Sequence, residues 1–182
     1  TAYLKANYPA EYMASVLSNN MSDIKQVSFF MVESKRMGIP VLGPDVNESN
    51  YTFAINKDGA IRFGLGAVRG IGSSPISEIV EKRKKENFKS IFDFVRRVDL
   101  RLCSITVFKS LIYAGGFDSF SPTHRSQYFN PDGEGITFLE KVMRFGSKYQ
   151  ESKNSSQTNL FGSQSDEVYQ ELKIPYCDPW EN

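Results

Sequence analysis

The sequence is poor in the residues that bind metals and form disulfides. It has one histidine, His124, and two cysteines, Cys103 and Cys177, in 182 residues. Because the cysteines lie far apart and no second histidine is present, the sequence contains neither the spacing of a zinc site nor a disulfide framework. We therefore predict two reduced thiols and no metal site in this chain.

Long hydrophobic runs are also missing. No apolar stretch approaches the length of a membrane-spanning helix, and the N-terminus has no basic segment followed by an apolar one. We therefore expect a cytoplasmic protein without a membrane partner. Because the sequence starts at Thr1 rather than at a methionine, and already within a helical pattern, we also expect it to be a piece of a longer chain.

Positive charge is scarce overall but concentrated in the middle of the chain. The net charge is only +1, which argues against a purely basic nucleic-acid-binding protein. Residues 61–101, however, contain ten basic and five acidic residues, whereas residues 151–182 contain two basic and six acidic residues. The middle segment is therefore expected to attract phosphate groups, and the C-terminal segment is not.

A glycine turn followed by a helix is the most informative motif. Gly70 and Gly72 flank a single apolar residue, Ile71, so the backbone can bring its N–H groups close to an anion. A helical pattern with a proline in its first turn follows directly, and we predict that Ser73 or Ser74 caps this helix. The turn N–H groups and the positive end of the helix would then point toward the same place, which favours a bound phosphate.

The turn alone has three interpretations. A glycine turn between packed helices needs no ligand, and a dinucleotide-binding loop needs a βαβ unit of which the sequence shows no sign. The third is a helix-hairpin-helix, a module that holds the DNA backbone without reading its sequence. Arg69 within the turn and the basic run 82–85 at the end of the next helix favour this third interpretation.

Apolar periodicity predicts a mainly α-helical chain with a small β-hairpin: a helical bundle plus a tandem helix-hairpin-helix domain, followed by a flexible tail. Three helices come first, the third capped by Ser22 and ended by Gly38. Residues 39–47 contain two prolines and are predicted to be an extended connector. Alternating apolar residues around the turn Asp58–Gly59 predict the hairpin.

A second helix pair and one further helix follow the glycine turn. Ser90 and Ser104 are predicted to cap the second pair, and a capping box at Thr137 and Glu140 opens the further helix, which is expected to end near Tyr149. The polar segment after it is predicted to be flexible. The predicted divisions are a helical domain (1–50), the hairpin connector (51–64), the tandem helix-hairpin-helix domain (65–120), a loop and helix (121–150), a flexible linker (151–167) and the approach to another domain (168–182).

Five segments are distinctive when they are taken together. They are TAYLKANYPAEYMA at 1–14, KRMGI at 35–39, PDVNES at 44–49, RFGLGAVRGIG at 62–72 and AGGFD at 114–118. With these segments the chain resembles the alpha (catalytic) subunit of bacterial DNA polymerase III. The resemblance runs in order from Thr1 to about Gln127 and resumes at Gln157–Phe161.

The resemblance implies that residues 1–50 are the end of a fingers domain and that the tandem helix-hairpin-helix binds the duplex leaving the polymerase site. The family's second hairpin usually has basic residues where this chain has Leu102, Ile105 and Thr106. Contact by that hairpin is therefore expected to depend on Arg101 alone. The implied DNA-binding residues are Arg69, Gly70, Ile71, Gly72, Ser73, Ser74 and Arg101.

The resemblance also implies an internal binding motif for the sliding clamp, the beta subunit. Such a motif combines a glutamine with a leucine–phenylalanine pair, and Gln157, Leu160 and Phe161 match it. Leu160 and Phe161 would enter an apolar pocket of the clamp, while the Gln157 amide would form hydrogen bonds.

Catalysis is expected to lie elsewhere in the parent protein. The family's three catalytic aspartates precede the position of Thr1, so this piece contains no catalytic residue and should not polymerise DNA by itself. Mg²⁺ is expected for the parent polymerase, and no cofactor is expected for this chain. Other subunits of the polymerase III holoenzyme are further expected partners.

Two other functions stay open at this point. A DNA repair nuclease or ligase would use the same helix-hairpin-helix with different chemistry, and such proteins also carry clamp-binding peptides. The opening segment, Thr1 to Tyr12, distinguishes the two and favours the polymerase. The remaining alternative is a helical scaffold in which the glycine turn is structural and the match at 157–161 is a coincidence.

Overall fold

The computed structural model describes residues 2–120, 123–158 and 171–180. Within these ranges the chain is mainly α-helical with one small sheet, as predicted. The helices are α1 (Ala2–Asn7), α2 (Pro9–Asn19), α3 (Ile24–Arg36), α4 (Ser73–Arg83), α5 (Ile91–Arg97), α6 (Ile105–Ala114), α7 (Arg125–Phe129) and α8 (Phe138–Thr158), and the strands are β1 (Val41–Leu42), β2 (Ala54–Ile55) and β3 (Ile61–Arg62).

Two hydrophobic cores follow one another along the chain. The first lies between α2, α3 and the sheet, where Leu17 and Ile61 are fully buried. The second lies among α4 to α8, and the rings of Phe94 and Phe108 pack edge to face in it with centroids 5.3 Å apart. Phe63 packs against both cores. Phe63 is followed by the short 3₁₀ turn Leu65–Ala67, and the glycine turn comes after it, so the turn lies close in sequence to a residue that joins the two cores.

The cap of α3 differs from the predicted one. Asp23, rather than Ser22, is the N-cap residue, and its carboxylate accepts hydrogen bonds from the N–H groups of Lys25 and Gln26. The prediction was wrong by one residue, because a serine and an aspartate in succession offer two caps of similar strength. Gly38 has a φ of +74°, a left-handed conformation typical of the residue that ends a helix, as predicted.

The predicted β-hairpin is confirmed. β2 and β3 are antiparallel, and the Asn56 side chain closes their turn by accepting hydrogen bonds from the N–H groups of Asp58 and Ala60. Gly59 in this turn has a φ of +77°. The pairing of β1, parallel to β3, was not predicted. The two prolines of 39–47 indicate extended backbone, but they do not indicate which distant strand it joins.

Partly buried polar contacts tie the segment between β1 and β2 to the second core. Asn47 and Phe88 exchange two hydrogen bonds: the Asn47 amide donates to the Phe88 carbonyl at 2.9 Å, and the Phe88 N–H donates to the Asn47 Oδ1 at 2.8 Å. Arg83 at the end of α4 donates to the carbonyl oxygens of Val46 and Ser49. Burial lowers the pKa of Arg83, and nearby carboxylates oppose that shift. These contacts hold α4 against the segment that leads into the sheet.

The capping box of α8 is confirmed, but its predicted end is wrong. The Glu140 carboxylate accepts a hydrogen bond from the Thr137 N–H at 2.8 Å, and the Thr137 hydroxyl accepts one from the Glu140 N–H at 3.3 Å. The helix then continues past Tyr149 to Thr158. The first part of the predicted linker, 151–167, is therefore helical.

Tertiary contacts explain the extra length of α8. The Gln150 amide donates to the carbonyl oxygens of Val95 and Val98, both at 2.8 Å, which ties α8 to the end of α5. Gly146 allows the two helices to approach closely, since a Cβ at this position would lie 2.8 Å from the Val95 Cβ. A polar local sequence does not reveal such long-range contacts.

The C-terminal segment 171–180 lies along α7. The Gln127 amide donates to the Pro175 carbonyl at 2.8 Å, and the Ser126 hydroxyl donates to the Asp178 carbonyl at 2.9 Å. This part of the predicted approach to another domain is therefore anchored on the same core as α4 to α8.

Candidate nucleic-acid interface

The glycine turn projects two residues into solvent. Val68 and Ile71, on either side of the tip, are buried in the second core, and the Ile71 N–H donates to the Val68 carbonyl at 3.4 Å. Arg69 and Gly70, between them, are exposed. We call residues 68–72 the first hairpin. Its buried flanks hold the exposed tip in place.

The fold constrains the two glycine positions of the first hairpin differently. Gly70 has a φ of +88°, and a Cβ there would lie 2.7 Å from the Ser110 Oγ on α6. Gly72 has an ordinary φ of −82°, and the nearest atom to a Cβ there is the Pro75 Cδ at 3.9 Å. The fold therefore requires glycine at Gly70, while it leaves open space at Gly72.

The N-terminus of α4 presents uncapped backbone donors. Gly72 is the N-cap residue, and no side chain caps the helix, so the prediction that Ser73 or Ser74 does so is wrong. Both serines lie inside the first turn with exposed side chains, where their own hydroxyls are past the capping position. In the described part of the chain, the N–H groups of Gly72, Ser73 and Ser74 have no hydrogen-bond partner. They point outward at the positive end of the helix dipole.

The basic residues around this turn are less available than the sequence predicted. Lys82, Lys84 and Lys89 each form an ion pair with a glutamate one turn away, and Arg83 faces inward. By contrast, Arg69 is exposed and forms no ion pair with any described residue. The positive charge next to the uncapped N–H groups is therefore mainly that of Arg69.

The side chain of Arg97 also contacts the protein itself rather than facing solvent. Its guanidinium donates to the carbonyl oxygens of Lys82 and Glu86 at 2.6 Å each and lies over the Phe88 ring, 4.5 Å from the centroid. It thereby satisfies carbonyl groups at the end of α4. Sequence analysis counted this arginine among the charges that attract phosphate.

A second hairpin, residues 100–104, leads into α6 as the first leads into α4. Its N-cap residue, Ser104, has a φ of −67° and a ψ of 166°, close to the −82° and 173° of Gly72. The predicted cap by the Ser104 hydroxyl is absent. Leu102 occupies the position that Gly70 has in the first hairpin, and it is exposed. The second hairpin therefore has a side chain at the position where the first hairpin has none.

Cys103 occupies the position of Ile71 in the second hairpin. It is fully buried, and burial raises the pKa of its thiol to about 12. The predicted reduced thiols are present at both cysteines, since Cys103 and Cys177 are not disulfide-bonded.

Arg101 corresponds in position to Arg69 but has a partner. Its guanidinium binds the Asp99 carboxylate through Nη2 at 2.8 Å and Nε at 3.1 Å. The hydrogen bonds lower the pKa of Asp99 and raise that of Arg101. The role of Arg101 in DNA binding stays a prediction, and any phosphate would compete with this carboxylate. The sequence signal for this pair was an aspartate two positions before the arginine.

The clamp-binding residues are only partly within the described structure. Gln157 lies in the last turn of α8, whereas Leu160 and Phe161 lie outside the described residues. Within the described ranges, no helix is long and apolar enough to span a lipid bilayer, and no cluster of histidine, cysteine, aspartate or glutamate side chains is arranged to hold a metal ion.

Comparison with known proteins gives one matching family model and several similar relatives of the same kind. A family model described as a helix-hairpin-helix motif matches residues 38–128, half of the chain. DNA polymerase III subunit alpha of Escherichia coli K12 is 35% identical over 182 residues, which cover 99% of this chain and 15% of that protein. The corresponding subunit of Mycobacterium tuberculosis is 36% identical and covers 100% of this chain. That of Chlamydia muridarum is 46% identical over 123 residues.

The matches cover a much larger share of this chain than of its relatives. The Escherichia coli and Mycobacterium tuberculosis matches cover this chain almost throughout and the Chlamydia muridarum match covers 67% of it, but the chain spans only 10–15% of the length of these curated relatives. The similarity is therefore to a segment of a much larger subunit, and it confirms the resemblance that the sequence segments predicted.

Proposed function

Because the chain belongs to the helix-hairpin-helix family and is similar throughout to a segment of bacterial DNA polymerase III alpha subunits, we propose that it binds the backbone of duplex DNA. In this proposal the first hairpin holds phosphate groups whatever the base sequence. The binding serves a parent chain that carries out template-directed DNA synthesis.

The observation that carries the proposal is the open space at Gly72. Its backbone has ordinary angles and no neighbouring atom excludes a side chain, so nothing inside the chain requires a glycine there. A glycine next to uncapped N–H groups is useful when another backbone approaches closely from outside. A DNA phosphate fits both the bare surface and the positive end of α4.

The remaining residues of the first hairpin have complementary roles. The N–H groups of Gly72, Ser73 and Ser74 would donate to phosphate oxygens, and Arg69 would add a charge-assisted contact from the tip. Ile71 would hold the turn in place from the core side. Contacts to phosphate oxygens carry no information about the bases. The expected binding is therefore indifferent to sequence.

Binding of two short duplexes with unrelated sequences tests this function. We expect fluorescence anisotropy to give dissociation constants that agree within about twofold and that rise steeply with salt, as for binding dominated by phosphate contacts. A strong preference for one sequence, or affinity that does not change with salt, would contradict the proposal.

We further propose that residues 157–161 tether the chain to a sliding clamp. Gln157, Leu160 and Phe161 supply the amide and the two apolar side chains that such a peptide needs. This motif begins in the last turn of α8 and is separate in sequence from the first hairpin. Other holoenzyme subunits are proposed partners of the parent chain on the same grounds of similarity.

Replacing Leu160 and Phe161 by alanine is expected to weaken clamp binding at least tenfold, because two apolar anchors of an extended peptide are removed. Affinity for duplex DNA should stay unchanged. Surface plasmon resonance on an immobilised clamp, with duplex anisotropy as the parallel assay, measures both. Loss of DNA binding together with clamp binding would refute the division of roles.

The polymerase activity itself is proposed for the parent protein. The chain spans about 15% of the length of its relatives, and we propose that the catalytic aspartates and their Mg²⁺ ions lie in other segments of the parent. The relatives described above are polymerase subunits, which favours this assignment over a repair nuclease or ligase.

A further inference from the structure

Three aromatic rings form a partly exposed cluster at the C-terminal end of α6. The rings of Tyr113, Phe129 and Trp180 are nearly parallel, with interplanar angles of 13–16° and centroids 4.7–5.8 Å apart. Phe129 packs against the second core, while Tyr113 is 59% and Trp180 47% exposed. We call these three residues the aromatic platform. It is anchored on one side and open to solvent on the other.

The platform is continuous with the first hairpin through α6. A Cβ on Gly70 would lie 2.7 Å from the Ser110 Oγ, so the tip of the hairpin faces this residue. Tyr113 follows Ser110 by three residues, which places it on the same side of the helix and about 4.5 Å further along its axis. Lys109 is exposed on the same stretch of helix. A strand that leaves the hairpin along α6 would meet the platform about one helical turn beyond Ser110.

A cavity of about 360 Å³ adjoins the platform. Its lining includes Trp180, His124 and Arg125. Arg125 is fixed there by the Asp118 carboxylate, which accepts from its Nε at 2.9 Å, and by the Tyr113 carbonyl at 3.2 Å. Trp180 is the platform residue that lines this cavity, so its indole ring lies beside polar groups in a space large enough for one heterocyclic base.

We propose that the aromatic platform binds an unpaired base of a DNA strand whose neighbouring phosphates lie at the first hairpin. Flat, exposed rings bind bases by stacking without selecting a sequence, and nearby cations stabilise the strand's phosphates. This inference rests on the proposed function, since the hairpin supplies the duplex end next to which the base lies. It adds a single-stranded binding surface to a module that holds duplex.

Trp180 provides a direct test, because it is the only tryptophan in the sequence. Titration of the 182-residue chain with oligothymidine should quench its fluorescence in a saturable manner. Tyr113→Leu keeps an exposed apolar side chain but removes a ring, and it should weaken the binding about fivefold or more. A duplex with a single-stranded overhang should likewise bind more tightly than the blunt duplex.

Tyr176→Leu is the matched control. Tyr176 lies in the same C-terminal segment as Trp180, is 90% exposed and forms no ring contact with the described residues. This variant should bind oligothymidine like the wild type. Absence of quenching, equal weakening in both variants, or no gain from the overhang would overturn the proposal.

The single-strand assay also separates this proposal from the proposed function. Quenching by oligothymidine does not need duplex binding. If blunt duplex fails to bind while quenching persists and depends on Tyr113, binding of duplex by the hairpin is refuted, and of this proposal only the stacking of a base on the platform stands. If duplex binds without any quenching by single strands, the platform alone is refuted.

Discussion

Replacing Gly72 with aspartate is expected to lower duplex affinity at least tenfold without lowering the stability of the fold. The new carboxylate would cap α4 by accepting the Ser74 N–H, which removes a donor from the phosphate and places a negative charge beside it. Loss of one hydrogen bond to a charged group corresponds to about 1.5–3 kcal/mol, or roughly ten- to a hundredfold in affinity. Aspartate is at least as good an N-cap as glycine, so the unfolding free energy should stay within about 0.5 kcal/mol of the wild type or rise.

Ser104→Asp is the matched control for this substitution. Ser104 is the N-cap residue of α6 with nearly the same backbone angles, so the change introduces the same charge in the same local geometry. Because the second hairpin has Leu102 in place of a glycine and Asp99 holds Arg101, we expect a much smaller loss of DNA affinity. Anisotropy titrations and thermal unfolding of both variants make the comparison. Equal losses would show that net charge, rather than a local contact at Gly72, governs binding.

Replacing Arg83 with methionine should destabilise the chain by about 2–4 kcal/mol, because the hydrogen-bond acceptors it serves would lose a charged donor. Its guanidinium contacts the carbonyl oxygens of Val46 and Ser49 and, at 2.7 Å, the Asn50 Oδ1. These contacts hold α4 against the connection between the two cores. Urea denaturation followed by circular dichroism measures the effect.

Lys85→Met provides the control for Arg83. Lys85 is exposed near the same end of the helix and forms no ion pair with a described residue, so its replacement should change stability by no more than about 0.5 kcal/mol. An Arg83→Met variant as stable as Lys85→Met would mean that Arg83 is a surface charge, as the sequence pattern suggested.

Local patterns predicted the elements of this fold well where a residue acts on its own neighbours. Gly38 ends α3, and Ser90 caps α5 by accepting a hydrogen bond from the Asp93 N–H. The parallel pairing of β1 and the extension of α8 to Thr158 depend on contacts with distant segments. Periodicity within a short window contains no information about such partners.

The sequence predicted where the candidate site lies, but it did not predict which of its residues face solvent and which contact the protein itself. Arg69, Gly70 and Gly72 do form one exposed turn at the start of α4. The sequence could not show that Arg83 and Arg97 face carbonyl groups of the protein, because the direction of a long basic side chain depends on tertiary packing. It also gave Gly70 and Gly72 the same role, although only Gly70 has a positive φ.

The salt dependence of duplex binding, measured for the wild type and for Arg69→Ala, tests the central claim most directly. Each phosphate neutralised by a basic side chain contributes about 0.9 to the slope of log affinity against log salt. If Arg69 contacts a phosphate, its removal should reduce the steepness of that slope by about 0.9 and weaken binding equally on unrelated sequences. Superimposable slopes, or a wild-type chain that does not bind duplex even at low salt, would contradict the assignment of the first hairpin as a phosphate-binding site.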